Sequence, residues 1–154
     1  MSELREEYRF KGISQHSVDD KGRIFIPSKM RDILGSRFTL TKSFDKCIEI
    51  HSDIGWEYKI SDIAKKKGTS VANLQRFMGV YSEDVTIDKQ GRIVIPNDFR
   101  EYAGIGKDVV IIGAITHGEI WDKEEWERFS SQFTTAEEAK KEMDKMYGDD
   151  SDNR

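Results

Sequence analysis

Along the chain, apolar and polar positions follow the same succession twice, sixty-nine residues apart. Val18 to Gly35 reads VDDKGRIFIPSKMRDILG, and Ile87 to Gly104 reads IDKQGRIVIPNDFREYAG. Each copy opens on a polar quartet, Asp19-Asp20-Lys21-Gly22 or Asp88-Lys89-Gln90-Gly91, with Asp first and Gly fourth, the preferences of a type I turn. A β-branched run follows, Arg23-Ile24-Phe25-Ile26 or Arg92-Ile93-Val94-Ile95. Both faces of these runs carry apolar residues, which predicts short strands largely buried on both sides. Pro27 and Pro96, the only prolines, stand where a helix would begin and where a missing N–H costs nothing. Met30, Ile33 and Leu34 then match Phe99, Tyr102 and Ala103 at i, i+3, i+4, and Gly35 and Gly104 mark the stops. The spacing predicts two helices of about two turns.

The correspondence extends beyond these segments. Ile13 to Val18 alternates as a strand entering the first copy does. Phe38–Thr41 and Val109–Ile112 read as strands, and Ile48-Glu49-Ile50 corresponds to Gly118-Glu119-Ile120-Trp121, with Glu49 matching Glu119. Trp56, Ile60 and Ile63 share one helical face, as do Trp126, Phe129 and Phe133. Between the copies, Gly68 breaks the helix and a second one carries Val71, Leu74 and Met78 to Gly79. Each half thus reads strand, turn, strand, short helix, strand, strand, helix, a mixed, β-rich α/β fold. The organisation predicted is an N-terminal arm (1–11), a first repeat with its helix (12–67), a connecting helix (68–80), a second repeat with its helix (81–134) and a charged tail (135–154). The tail's Glu, Lys, Asp and Ser content predicts a frayed helix running into disordered chain.

At 154 residues the chain has room for one domain made of two halves, and little for two independent enzyme domains. The longest apolar stretch, Val109 to Ile115, is far shorter than the roughly 20 residues of a membrane span. The opening Met-Ser-Glu-Leu-Arg predicts no signal peptide. The single Cys47 fits a reducing cytoplasm and reads as a small apolar residue in a strand. Net charge is -4, an apparent argument against nucleic acid. Thr135 to Arg154, however, holds 4 Lys or Arg against 7 Asp or Glu, leaving 21 positive and 22 negative side chains elsewhere. A near-neutral body leaves room for a local basic face.

Asp19 with Arg23, and Asp88 with Arg92, are the candidate site. The turn brings each carboxylate near its guanidinium, orienting the planar fork without consuming all five donors. An Arg held this way can read guanine O6 and N7 in a major groove. A surface ion pair closing a turn would use the same residues, but a turn requires Asp and Gly, not an Arg next in both copies. Arg31 and Arg100, recurring on the short helices, read equally as structural pairs or as phosphate contacts. Lys65-Lys66-Lys67 reads as a solvated helix end. His16, His51 and His117 show no metal-ligand spacing and read as isolated, so neither a metal nor a cofactor is expected. Trp56, Trp121, Trp126, Phe129 and Phe133 suit a core or subunit interface better than a base-stacking platform. An aspartic-protease plan, one Asp per half, would need two carboxylates sharing a proton in a secluded cleft. Here Asp20 and Lys89 follow and Arg23 and Arg92 lie close, so both carboxylates stay ionised. No nucleophile elbow, metal-binding helix or phosphate loop is present, and neither an enzyme nor a small-molecule substrate is expected.

The doubled Asp-x-x-x-Arg turn followed by Arg-Ile-x-Ile-Pro resembles the SpoVT/AbrB-type DNA-binding superfamily, and two copies in a chain of this size resemble its MraZ family of bacterial transcriptional regulators. The match runs from about Phe10 to Phe129 and includes Trp121-Asp122-Lys123-Glu124-Glu125-Trp126. The resemblance implies two swapped-hairpin repeats forming one pseudo-twofold domain with peripheral helices. It also implies ring-shaped homo-oligomers that bind short direct repeats upstream of the division and cell wall gene cluster, as repressors of their own operon. By position it carries the family signature onto Asp19, Gly22 and Arg23, and onto Asp88, Gly91 and Arg92. The partner implied is double-stranded promoter DNA, with no membrane, in the cytoplasm at the nucleoid. Lys21 and Lys89 are the phosphate anchors expected beside the reading arginines. The other reading is a ring-forming scaffold that binds protein through the same charged turns.

Overall fold

The computed structural model describes residues 8–148. Within them the chain forms eight strands and six helices: β1 (Ile13–Ser17), β2 (Arg23–Phe25), α1 (Ser28–Leu34), β3 (Arg37–Lys42), β4 (Ile48–His51), α2 (Asp53–Ala64), α3 (Thr69–Val80), β5 (Ser82–Thr86), β6 (Arg92–Val94), α4 (Asn97–Ala103), β7 (Asp108–Gly113), β8 (Gly118–Asp122), α5 (Lys123–Ser130) and α6 (Ala136–Tyr147). The order strand, strand, short helix, strand, strand, helix occurs twice.

Six strands form one antiparallel sheet in the order β1-β7-β8-β4-β3-β5, and β2 pairs with β6 in a separate two-stranded ribbon. The halves exchange strands. β1 of the first half lies beside β7 of the second, β5 of the second beside β3 of the first, and β4 and β8 meet at the centre. The crossing is tied by backbone bonds: Ile26 N–H donates to the Gly91 carbonyl at 2.9 Å, and Ile95 N–H to the Gly22 carbonyl at 2.8 Å.

One core joins ribbon, short helices and sheet. Ile24, Ile26, Ile93 and Ile95 pack with Met30, Leu34, Phe99 and Ala103 against Phe38, Leu40, Ile48, Ile50, Val109, Ile111 and Ile120. Each of these side chains removed from water contributes about 1.5–3 kcal/mol if large and aliphatic or aromatic. Pro27 and Pro96 precede the first helical residues, where their fixed φ (-54° and -56°) leads into the turn, and the Pro27 carbonyl accepts from Met30 N at 2.9 Å. Gly35 and Gly104 end α1 and α4 as the spacing predicts. Gly113 is tightly placed: an added Cβ would collide with the backbone of Phe10 and Lys11, which runs antiparallel beside the end of β7.

Two expectations need correction. The strands β2 and β6 are buried on one face only: Ile24 and Ile93 are inside, while Phe25 and Val94 are about half exposed. A two-stranded ribbon packed on a core from one side leaves its other face in solvent. Helix α5 ends at Ser130, so Phe133 lies beyond it rather than on its stripe, although its ring still meets Trp126 (6.0 Å) and Phe129 (5.2 Å) edge to face. The helix expected at the start of the tail is α6, 12 residues from Ala136 to Tyr147. Thr135 Oγ1 accepts from Glu138 N at 3.2 Å, and Glu138–Lys141 and Glu142–Lys145 pair along its side. Residues 149–154, and residues 1–7 of the predicted arm, lie outside the described residues.

The chain divides into two compact units, Met1–Lys123 and Glu124–Arg154. All eight strands and the candidate site belong to the first. No helix among the described residues is long and apolar enough to cross a membrane.

Candidate nucleic-acid interface

Each signature turn is built alike. Asp19 Oδ1 accepts from the backbone N–H of Lys21 (3.0 Å) and Arg23 (2.8 Å), and Asp88 Oδ1 accepts from Gln90 (2.9 Å) and Arg92 (2.9 Å). Gly22 and Gly91 close the turns by donating to the Asp19 and Asp88 carbonyls at 2.9 and 3.0 Å. Both glycines have positive φ, +77° and +87°, a region that side chains resist. The second carboxylate oxygen takes the arginine: Arg23 Nε to Asp19 Oδ2 is 2.7 Å, and Arg92 Nε to Asp88 Oδ2 is 2.9 Å. Nε is thereby fixed, and the terminal guanidinium nitrogens of Arg23 and Arg92 have no protein partner among the described residues.

Both carboxylates titrate below the ordinary range, chiefly because the Arg23 and Arg92 backbone N–H groups bond the charged form, with the guanidinium side chains adding to it against the cost of partial desolvation. They are ionised at neutral pH, each bound to its own arginine. No shared proton of the aspartic-protease kind fits that arrangement.

The ribbon register places Arg23 opposite Val94 and Arg92 opposite Phe25. These four side chains therefore share one face, with Ile24 and Ile93 on the other. Arg23 and Arg92 are diagonal neighbours, about 7–8 Å apart along the backbone by ladder geometry. Between them lie Phe25 and Val94, and Arg92 Cζ sits 5.8 Å from the centre of the Phe25 ring. The structure thus joins two turns 69 residues apart into one amphipathic face. Lys21 and Lys89 are exposed on the turns beside it.

Phe25 and Val94 were not legible as surface residues, since a β-branched run reads as buried. Their ladder partners are the missing signal, and these become known only when β2 pairs with β6 rather than with its own neighbours. Arg31 and Arg100, open between two readings from sequence, pack against the turn glycines of the opposite half. A Cβ on Gly22 would stand 3.0 Å from Arg100 Cζ, and one on Gly91 2.9 Å from Arg31 Cζ. Arg100 Nη2 also reaches Asn97 Oδ1 at 3.3 Å, while its Nε is buried without a partner among the described residues.

Two histidines expected to be isolated are not. Glu49 and Glu119 are direct cross-strand partners of β4 and β8, an arrangement of like charges that is unfavourable alone. Around them gather His51, whose Nε2 is 2.8 Å from Glu49 Oε1, Lys59, whose Nζ donates to the same oxygen at 3.0 Å, and His117, whose Nε2 is 2.9 Å from Glu119 Oε2. The His51 and His117 rings stack at 5.3 Å. Burial alone would raise the Glu49 carboxyl, but the His51 hydrogen bond and the charge of Lys59 bring it down to about 2. Burial lowers His51, against the pull of Glu49. The sequence matched Glu49 to Glu119 but held no signal that their strands pair. His16 stands apart from this group, bonded to Ser14 Oγ at 2.7 Å. Cys47 is fully buried just before β4, its thiol pushed up by burial and held 3.1 Å from Ser43 Oγ.

The family model described as "MraZ protein, putative antitoxin-like" matches residues 10–75 and 77–147. A protein of Acetivibrio thermocellus named Transcriptional regulator MraZ is 43% identical over 141 residues, covering 90% of this chain and 99% of that protein. Proteins of the same name from Thermoanaerobacter pseudethanolicus and Dictyoglomus turgidum are 41% and 40% identical over 139 residues each, covering 88% and 89% of this chain and 96% and 95% of theirs.

Proposed function

This chain belongs to the MraZ family, and from that premise we propose that it is a sequence-specific DNA-binding transcriptional regulator whose reading surface is the exposed face of the β2–β6 ribbon. The observation that carries the proposal is the pair of arginines clamped at Nε by Asp19 and Asp88, with their terminal nitrogens left over. A guanidinium held by one edge keeps the geometry for a bidentate contact to guanine, and the ordering cost is met before DNA arrives. Two-stranded ribbons fit a major groove. Phe25 and Val94, exposed between the arginines, offer apolar contact to thymine methyl groups. Lys21 and Lys89 supply phosphate contacts, and Asp19, Gly22, Asp88 and Gly91 hold the turns in register.

The targets proposed are short direct repeats in the promoter of its own operon, in the division and cell wall gene cluster, bound by a ring-shaped homo-oligomer acting as a repressor at the nucleoid. The two halves, 12–67 and 81–134, act as tandem repeats that build one reading surface per chain. Each surface alone binds weakly, and the ring makes later contacts effectively intramolecular. A salt titration with promoter DNA and with scrambled DNA of equal length tests this. The expected result is a steep fall of affinity with salt for both, and a sequence preference at every salt concentration. Binding without preference, or none at physiological salt, overturns it in favour of a ring that binds protein.

A further inference from the structure

We propose that Glu49, His117 and Glu119 form a site for one divalent transition-metal ion of the zinc class. One ligand atom from each of these residues lies within 4.8 Å of the other two. The atoms that converge are Glu49 Oε2, His117 Nε2 and Glu119 Oε2: His117 Nε2 is 2.9 Å from Glu119 Oε2 and 4.0 Å from Glu49 Oε2. Around an ion with bonds of about 2.0–2.2 Å, ligand atoms stand roughly 3 to 4 Å apart, so small side-chain rotations suffice.

The other polar atom of every ligand is already occupied. His117 Nδ1 is 3.0 Å from Thr116 Oγ1, a hydroxyl that can serve either ring tautomer; metal binding takes the one in which Nδ1–H donates to Thr116, and it displaces the Nε2 proton that Glu119 Oε2 accepts in the ion-free site. Glu119 Oε1 accepts from Trp121 Nε1 at 2.9 Å. Glu49 Oε1 takes both His51 and Lys59. Outer contacts therefore hold the remote atom of each residue, so that Glu49 Oε2, His117 Nε2 and Glu119 Oε2 face one point, where an ion would replace the hydrogen bond between His117 and Glu119. Two carboxylates balance a dication, and the ion would relieve the opposed pair at the β4–β8 centre. Mixed imidazole and carboxylate ligands select first-row dications over calcium or magnesium, which take oxygen alone. The three side chains are 15–18% exposed, enough for an ion to enter. Glu49 and Glu119 alternate with Ile48, Ile50 and Ile120 of the core, so they project from the sheet face away from that core.

The test is calorimetric titration of the full chain, stripped with chelator, with zinc chloride and separately with calcium chloride, alongside thermal melting. One zinc per chain, a raised melting temperature and no calcium binding are expected. His117→Ala and Glu119→Gln should abolish that equivalent. Thr116→Val, at an exposed residue whose loss leaves the core untouched, should weaken it about 10- to 100-fold by removing the hydroxyl that accepts Nδ1–H of the metal-binding tautomer. Circular dichroism reports folding, and should a ligand variant fail to fold, the Thr116→Val shift decides. Zinc uptake that is absent, matched by calcium, or unchanged in the folded variants overturns the site. DNA affinity is read on the same samples, so failure here is separable from failure of the DNA-binding proposal.

Discussion

Gly91→Ala isolates the contact that ties one half of the protein to the turn of the other. Two terms add. Gly91 has φ +87°, and a Cβ in that region costs about 1–2 kcal/mol. The new methyl would also collide with Arg31 Nη1 and stand 2.9 Å from its Cζ, so the guanidinium must leave its seat. Because the far end of an Arg side chain is flexible, that displacement sits low in the range for contacting residues, about 1 kcal/mol. The total is about 2–3 kcal/mol, or roughly 5–10 °C in melting temperature for a chain of this size. In an Arg31→Ala background only the backbone term remains, and the same substitution should cost about 1–2 kcal/mol. At Gly22 the closest approach is looser, 3.0 Å to Arg100 Cζ, so Gly22→Ala should couple less strongly to Arg100→Ala. Urea unfolding of the four variants of each cycle, followed by circular dichroism, measures the coupling. A Gly91→Ala cost that is the same with and without Arg31 would refute the seat of Arg31 on the turn.

Arg23→Ala and Arg92→Ala should each weaken binding to promoter DNA by about 1–3 kcal/mol per engaged subunit while leaving the circular dichroism spectrum unchanged; a double variant that binds normally by mobility shift removes the ribbon from the interface. Phe25→Ala, which takes away an exposed ring, should lower affinity for T-containing repeats more than for scrambled DNA, with no loss of stability. Asp19 and Asp88 titrate below their ordinary 3.8, so the turn stability they contribute is complete above that value and is lost as pH falls through the lowered one. Asp19→Asn with Asp88→Asn should therefore flatten the acid limb of unfolding below about pH 4, and an unchanged limb would show that the turns do not depend on the charges. Inserting about 5 bp between two promoter repeats should cost far more affinity than inserting about 10 bp, since half a helical turn moves one repeat to the opposite face; equal affinities would mean that no rigid ring reads both repeats.

The sequence by itself determined the elements and the chemistry of the turns. An Asp four residues before an Arg, with Gly between, specifies its own hydrogen bonds within five residues, so no distant partner was needed to place Asp19, Gly22 and Arg23 or their counterparts. The prolines before α1 and α4, and the i, i+3, i+4 apolar positions after them, are local in the same sense. What lay beyond reach was every property set by pairing between the halves. An isoleucine-rich strand looks the same whether one face or two are covered, so the exposure of Phe25 and Val94 followed only from β2 meeting β6. Arg31 and Arg100 could not be assigned, because their seats are glycines in the opposite half. The histidines at 51 and 117 looked unrelated until β4 and β8 brought them to 5.3 Å across two glutamates. Local hydrogen bonds and dihedral preferences are written residue by residue, whereas burial and electrostatic neighbourhoods depend on which strands become adjacent, and strand exchange decides that only in the folded chain.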